Sequence, residues 1–353
     1  MFSQIIGNGR VKRHLQKVLE KGTIANSLLF AGPDGIGKQL FAFELASQLL
    51  KCSGNPQQHP DFHLFRPEGK VGMHSIEAMR RFGEEVYLAP FQAPYKVFII
   101  QDAHRMLPTS ANALLKTFEE PAENAVIILI TSAPASLLPT VLSRCQTLYF
   151  QPLTVEEIAG YLTKTSGLGS EEARLLAIKS RGSIGAALRL VREGANHVET
   201  RVREMLSKGH SATYKELAQG AKELAEWIEK GKEEMETELR AARLATGFAD
   251  LPATMRQGLE KEIEGAVTLH VHEQVRAIFE TVLTWYRDLE ALRVGVRPEL
   301  LYHTDRQEEL ASALQRGEKR PLASVQKAID GATLALERST SLHICLEGLF
   351  LKT

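Results

Sequence analysis

Apolar residues in the first 150 positions come in short unbroken runs. Leu28-Leu29-Phe30-Ala31 is the first, and it ends in a glycine-rich loop. Residues 62–65, 97–100, 126–131 and 147–150 are four more candidate strands. A strand covered on one face alternates apolar and polar residues. Unbroken runs predict strands covered on both faces, as in a parallel sheet. The intervening segments have helical patterns at 75–86 and 110–120. The second is stopped by Pro121, whose ring cannot continue a helix. Strands alternating with helices predict a doubly wound α/β domain.

After residue 153 the strand pattern disappears. Thr154 and Glu157 have the spacing of a capping box, and so predict a helix start. Gly169-Ser170 predicts a second helix start and Ser183 a third, giving a small helical region to about residue 205. Beyond it Leu217, Ala221, Leu224 and Ile228 recur at helical spacing. Gly247 and Pro252 punctuate a helix end and the next start. A charged stretch at 316–320 precedes another helix at Pro321.

At 353 residues the chain is too long for one core, and two or three domains are expected. Hydrophobic residues make up 44% and charged residues 24%, which excludes wholesale disorder. Lys plus Arg and Asp plus Glu are each 43. A net charge of zero excludes a chain coated in basic charge, so any nucleic-acid contact must be local or borrowed from partners. The longest aliphatic run, residues 126–130, is far too short for a membrane helix, and the first residues lack a signal core. The cysteines Cys52, Cys145 and Cys345 are odd in number and scattered. A cytoplasmic protein without a disulfide framework is expected.

The sharpest chemical signal is Gly32-Pro33-Asp34-Gly35-Ile36-Gly37-Lys38-Gln39, which follows a strand and precedes a helix. Backbone N–H groups of such a loop cradle phosphates, and the lysine adds charge. Its glycines could otherwise serve a plain turn. The position after Lys38 ordinarily carries the hydroxyl that ligates Mg²⁺, and here it is Gln39. After the 97–100 run, a metal-orienting acid is expected and Gln101 stands there. Asp102 follows, where a water-activating glutamate is usual; its other reading is a carboxylate capping the next segment.

Thr131-Ser132 ends the fourth run, where a polar sensor would face the γ-phosphate. Arg144, in Ser143-Arg144-Cys145, has a solvated surface role as its plain reading. His270 and His272 lie two apart in a helical pattern and do not share a face, which argues against a metal pair. Residues 12–17 form a mildly basic helix start with a solvated face. Trp285 and Tyr286 read as core or interface aromatics.

Several segments occur in one order: the loop at 32–39, His59-Pro60-Asp61, Tyr95-Lys96-Val97, Asn112-Ala113-Leu114-Leu115-Lys116, Glu119-Glu120-Pro121 and Leu142-Ser143-Arg144-Cys145-Gln146. This order resembles the bacterial DNA polymerase III clamp-loader AAA+ family over residues 1 to about 190. The likeness is looser at Trp285-Tyr286-Arg287-Asp288 and in the last helices. The resemblance implies an AAA+ P-loop α/β domain at 1–153, a helical lid at 154–205 and an all-α collar for oligomerisation at 206–353.

Within that family the chain resembles the delta prime branch. Gln39, Gln101 and the glycine at Gly185, where motor subunits place an ATP-sensing arginine, are three losses in one reaction. They imply a subunit that holds ATP or ADP, if at all, through Gly32, Gly35, Gly37 and Lys38 without hydrolysing it. The four-cysteine zinc module of the family is reduced to residues 51–58 with Cys52 alone, which implies no zinc. The implied partners are the delta and gamma/tau subunits and, through the assembly, the sliding clamp (beta) and primer–template DNA. Arg144 is implied as an arginine finger offered in trans. The rival expectation is a catalytically active gamma/tau-like ATPase.

Overall fold

The computed structural model describes residues 2–52, 54–68, 72–193, 197–209, 212–244, 253–317, 320–338 and 340–353. Gly247 and Pro252 lie outside the described residues, as do residues 318 and 319 of the charged stretch. The chain forms two compact units: Met1–Arg192 with Ala253–Ala266, and Glu193–Pro252 with Val267–Thr353.

The first unit is built on five parallel strands, β1 (Ser27–Ala31), β2 (Phe62–Phe65), β3 (Lys96–Ile100), β4 (Ala125–Thr131) and β5 (Gln146–Tyr149). Their order across the sheet is β2-β3-β4-β1-β5. All five predicted segments are strands, with no end shifted by more than one residue. Every residue of β1, β3 and β4 is buried, as unbroken apolar runs require. Alternate residues feed two cores. Leu28, Phe30, Val97, Ile99, Val126 and Ile128 face one; Leu29, Phe98, Ile100, Ile127 and Leu129 face the other.

The first core is covered by α1 (Gly9–Lys21), through Val11 and Leu15, and by α2 (Lys38–Leu50), through Phe41, Leu45 and Leu49. The second is covered by α3 (Ile76–Glu85), which Ser75 caps through the N–H of Ala78. The single helix expected at 110–120 is instead two short ones, α4 (Pro108–Ala113) and α5 (Leu115–Glu119). Proline sits at the first position of α4, where its missing N–H costs nothing. At Leu114 the chain tightens, its N–H reaching back three residues to Ala111. Ala111, Leu114 and Phe118 are all buried against the sheet. A one-turn helix, α6 (Pro139–Leu142), leads into β5.

Helices α7 (Val155–Ser166), α8 (Ser170–Lys179) and α9 (Ile184–Glu193) start where their caps predict. Thr154 and Glu157 form both bonds of the capping box, at 2.9 and 3.2 Å. Leu153, Ile158, Leu162, Ala177 and Ile184 make a small core of their own.

The second unit holds α10 (His197–Lys208), α11 (Tyr214–Leu244), most of α12 (Ala253–Arg293), α13 (Gln307–Gln315), α14 (Leu322–Glu337) and α15 (Leu342–Lys352). Most of α10 falls in the stretch that the sequence reading assigns to the lid. Its apolar face, Val198, Val202, Met205 and Leu206, packs into the core of the second unit with Trp285. Trp285 and Tyr286 are buried, and the Tyr286 hydroxyl donates to the carbonyl of Thr353. Asp288 is fully buried, taking the His303 N–H at 2.8 Å and the Arg287 guanidinium at 2.8 Å. The Trp285-Tyr286-Arg287-Asp288 segment is therefore a packing knot. Among the described residues no helix is long and apolar enough to cross a membrane.

Two buried polar groups hold the first unit's loops. Asp61, before β2, accepts the N–H groups of Phe91, Gln92 and Ala93 at 2.5, 2.8 and 2.9 Å. Burial pushes its carboxyl up, but these three donors outweigh burial and hold it below its ordinary value. Asp61→Asn replaces an acceptor oxygen by an N–H₂ facing a donor. A loss of about 2–3 kcal/mol in urea unfolding is expected. The carboxylate's own contribution is present above the ordinary carboxylate pKa and fades as pH falls through its lowered value.

His74 is the second group. Its main chain bridges to Met106, and its Nε2 contacts the Gln101 carbonyl at 2.7 Å. Burial pulls the imidazole down to about 4, although hydrogen bonds to the backbone oppose the shift. The unfolded chain takes up this proton near pH 6.5. The stability from neutral His74 is thus complete above about pH 6.5 and drains away toward pH 4. His74→Leu should be the less stable protein at pH 7. Between pH 7 and 5 wild type should lose about 2 kcal/mol more than the variant, as read from urea midpoints at both pH values.

Candidate nucleotide site at the carboxyl ends of the sheet

Because β4 lies between β1 and β3, their three carboxyl ends stand side by side, and each delivers one predicted segment. The loop after β1 carries Gly32, Gly35, Gly37 and Lys38; β3 ends at Gln101 and Asp102; β4 ends at Thr131. In open α/β sheets this edge is where ligands bind. The Gly32 N–H donates to the Thr131 carbonyl at 3.2 Å, tying loop to sheet.

The loop's glycines are needed for space at Gly32 and for positive φ at Gly35 and Gly37. A Cβ on Gly32 would lie 2.5 Å from the Phe150 carbonyl oxygen. Gly35 has φ +71°, and a Cβ there would lie 2.2 Å from Ser183 Oγ. Gly37 begins α2 with φ +95°. Lys38 is buried, and its amine donates to the carbonyls of Gly32 and Pro33, each at 2.5 Å, with Asp34 3.7 Å away. The cation thus sits under the curve of the loop, and the helix N-terminus behind it adds positive potential.

The start of α9 packs directly on this loop. The Gly185 N–H donates to the Gly35 carbonyl at 2.9 Å, and a Cβ on Gly185 would approach Gly35 Cα to 3.2 Å. The glycine at 185 therefore has a steric reason. The sequence reading treats Gly185 as a lost arginine and misses this backbone contact. Ser183 has two duties, capping α9 through the Ala186 N–H at 3.2 Å and crowding Gly35.

On β3, the Gln101 amide oxygen accepts from Arg66 at 3.4 Å, and its carbonyl holds His74. Asp102 occupies the left-handed region at φ 49°, at the start of a 3₁₀ turn, Ala103–Arg105. Its side chain makes no capping bond, so the capping reading of Asp102 is not what the side chain does. Thr131 is fully buried, and its hydroxyl accepts the Ala133 N–H at 3.1 Å and lies 3.2 Å from His104 Nδ1. His104 went unnoticed in the sequence; its place two residues beyond Asp102 was the available signal.

Arg144 is elsewhere. It precedes β5, whose first residue Gln146 pairs with Leu28 near the start of β1. It therefore stands at the amino edge of the sheet, about 13 Å or more of strand away from the phosphate loop. Its guanidinium donates to the Thr140 carbonyl at 2.9 Å and ion-pairs with Glu119. Two of the family-like segments, Glu119-Glu120-Pro121 and Ser143-Arg144-Cys145, are thereby latched together on the surface. Burial pushes the neighbouring Cys145 thiol up to about 12, which keeps it unreactive. Cys52 packs partly buried against the α2 core. Among the described residues no group of three or more His, Cys, Asp or Glu is placed to hold a metal.

Residues 7–154 match the family model described as "DNA polymerase III, delta subunit". DNA polymerase III subunit delta' of Bacillus subtilis is 34% identical over 183 residues, 48% of this chain and 54% of that protein. Subunit tau of the same organism is 29% identical over 200 residues, 52% of this chain and 35% of that one. The chain thus spans about half or less of the length of these relatives. A gamma subunit-related protein of Thermotoga maritima aligns over 96% of this chain and 97% of its own. It is 17% identical with a TM-score of 0.45, too low to place any residue. Over its first half the chain is thus similar to DNA polymerase III delta' and tau subunits.

Proposed function

We propose that this chain is a delta prime-like subunit of the clamp loader, a stator without ATP hydrolysis of its own. It would assemble with delta and gamma/tau subunits to place the sliding clamp on primer–template DNA. One observation carries this reading: the chemistry is split between opposite edges of one sheet. The phosphate loop lies at the carboxyl edge, where the two positions that organise Mg²⁺ are the amides Gln39 and Gln101. Mg²⁺ demands a tight octahedral oxygen set, which an amide serves less well than a hydroxyl or carboxylate. Arg144 lies at the amino edge, out of reach of this loop and open on the surface. A guanidinium there can complete a neighbour's site but not its own.

If a nucleotide is held, Gly32, Gly35, Gly37 and Lys38 hold its phosphates, with Thr131 and Asp102 at the adjoining strand ends. The rival reading, an active gamma/tau-like ATPase, draws on that intact glycine and lysine frame.

Steady-state phosphate release by the isolated chain should be the same for wild type and Lys38→Ala. Lys38-dependent turnover near 1 s⁻¹, an ordinary enzyme rate, would establish the rival.

For Arg144 the expected outcome is read in the loader assembled with its partner subunits. A finger in trans contributes about 10³–10⁵ at its own site. Arg144→Ala should therefore lower clamp- and DNA-stimulated hydrolysis partly, because other sites remain, and leave assembly size unchanged. Glu119→Ala frees the same guanidinium and should leave hydrolysis intact. If Arg144 is only a latch, both variants cost at most about 1 kcal/mol of stability and neither touches hydrolysis.

A further inference from the structure

The exposed face of α1 carries a charge pattern that the phosphate site does not use. The helix holds Arg10, Lys12, Arg13, Lys17 and Lys21 against a single carboxylate, Glu20, in a chain whose cations and anions balance. Val11 and Leu15 face the core, and the Lys12 amine turns inward to the Ile5 carbonyl. The other four cations are exposed. At about 100° per residue, Arg10, Arg13, Lys17 and Lys21 fall within an arc of about 80° and run about 16 Å along the helix. Glu20 lies at the edge of that arc. Among the described residues none of the four is paired with a carboxylate. Four like charges held in a row repel one another, and that cost is offset only when an anion covers them.

We infer that this stripe is a docking surface for the phosphate backbone of duplex DNA. The choice of DNA rests on the clamp-loader reading; the charge pattern does not. The alternatives fit less well. A protein interface carries an apolar or aromatic centre and is depleted in lysine, yet no exposed large hydrophobic residue lies on α1. A membrane surface takes basic helices that insert their apolar face, and here that face is buried in the core. Single strands are held by stacking on aromatic side chains, and the stripe has none. A backbone row of phosphates needs only spaced cations, and a duplex strand offers one about every 3.4 Å of axis.

The test is fluorescence anisotropy of a labelled primed duplex with the full chain between 50 and 200 mM salt. Each phosphate neutralised adds about 0.9 to the slope of log affinity against log salt. Arg13→Ala with Lys17→Ala should flatten the slope by about 2 and weaken binding several-fold or more at 50 mM salt, with the melting temperature unchanged. The charge-keeping pair Arg13→Lys with Lys17→Arg should bind as wild type. Equal slopes and affinities for wild type and the alanine pair overturn the inference. So does an alanine pair that binds DNA normally but no longer enters the loader assembly, which would make the stripe a protein interface. Failure of the stator reading shows separately, as failure of the wild-type chain to assemble.

Discussion

Burial of the sheet on both faces governs the first unit. A strand in its middle has no solvent side, so β1, β3 and β4 must be apolar at every position, and alternate residues supply two separate cores. Helices on both faces follow, and with them parallel strands and crossover connections. The order β2-β3-β4-β1-β5 then sets the phosphate loop, Gln101 and Thr131 along one edge. Polar chemistry is confined to strand ends because the strands have no room for it.

The same geometry separates two roles. In parallel strands every carboxyl end lies on one edge and every amino end on the other. A loop after β1 and an arginine before β5 are therefore on opposite edges, although their strands are neighbours. The start of α9 adds a constraint of its own. With the Gly185 N–H on the Gly35 carbonyl, the loop and the start of α9 approach backbone to backbone, and a Cβ at either position would be crowded.

Charge is distributed unevenly although it sums to zero. Most carboxylates of the second unit's long helices are paired with lysines or arginines within a turn, as with Lys222 and Glu226 or Arg276 and Glu280. The outer face of α1 is left uncompensated. A neutral chain can thus present a local positive row, which net charge alone does not reveal.

Much of this was legible in the sequence because it rests on local rules. Unbroken apolar runs foretold the three buried strands β1, β3 and β4, and the Thr154–Glu157 spacing foretold a capping box that forms in full. The glycine spacing before Lys38 foretold a tight loop between β1 and α2. What escaped were pairings between distant residues. The break at Leu114, the latch of Arg144 on Glu119, the Thr131–His104 contact and the packing of α10 away from the lid depend on which surfaces meet. So does the depressed His74, whose neutrality comes from burial beside the end of β3. The elements and their caps were readable from the chain alone, because they follow from side-chain period and backbone preference within a few residues. The tertiary structure alone decided which groups touch, which edge each occupies and which cations stay unpaired, because those depend on the path of the chain between them.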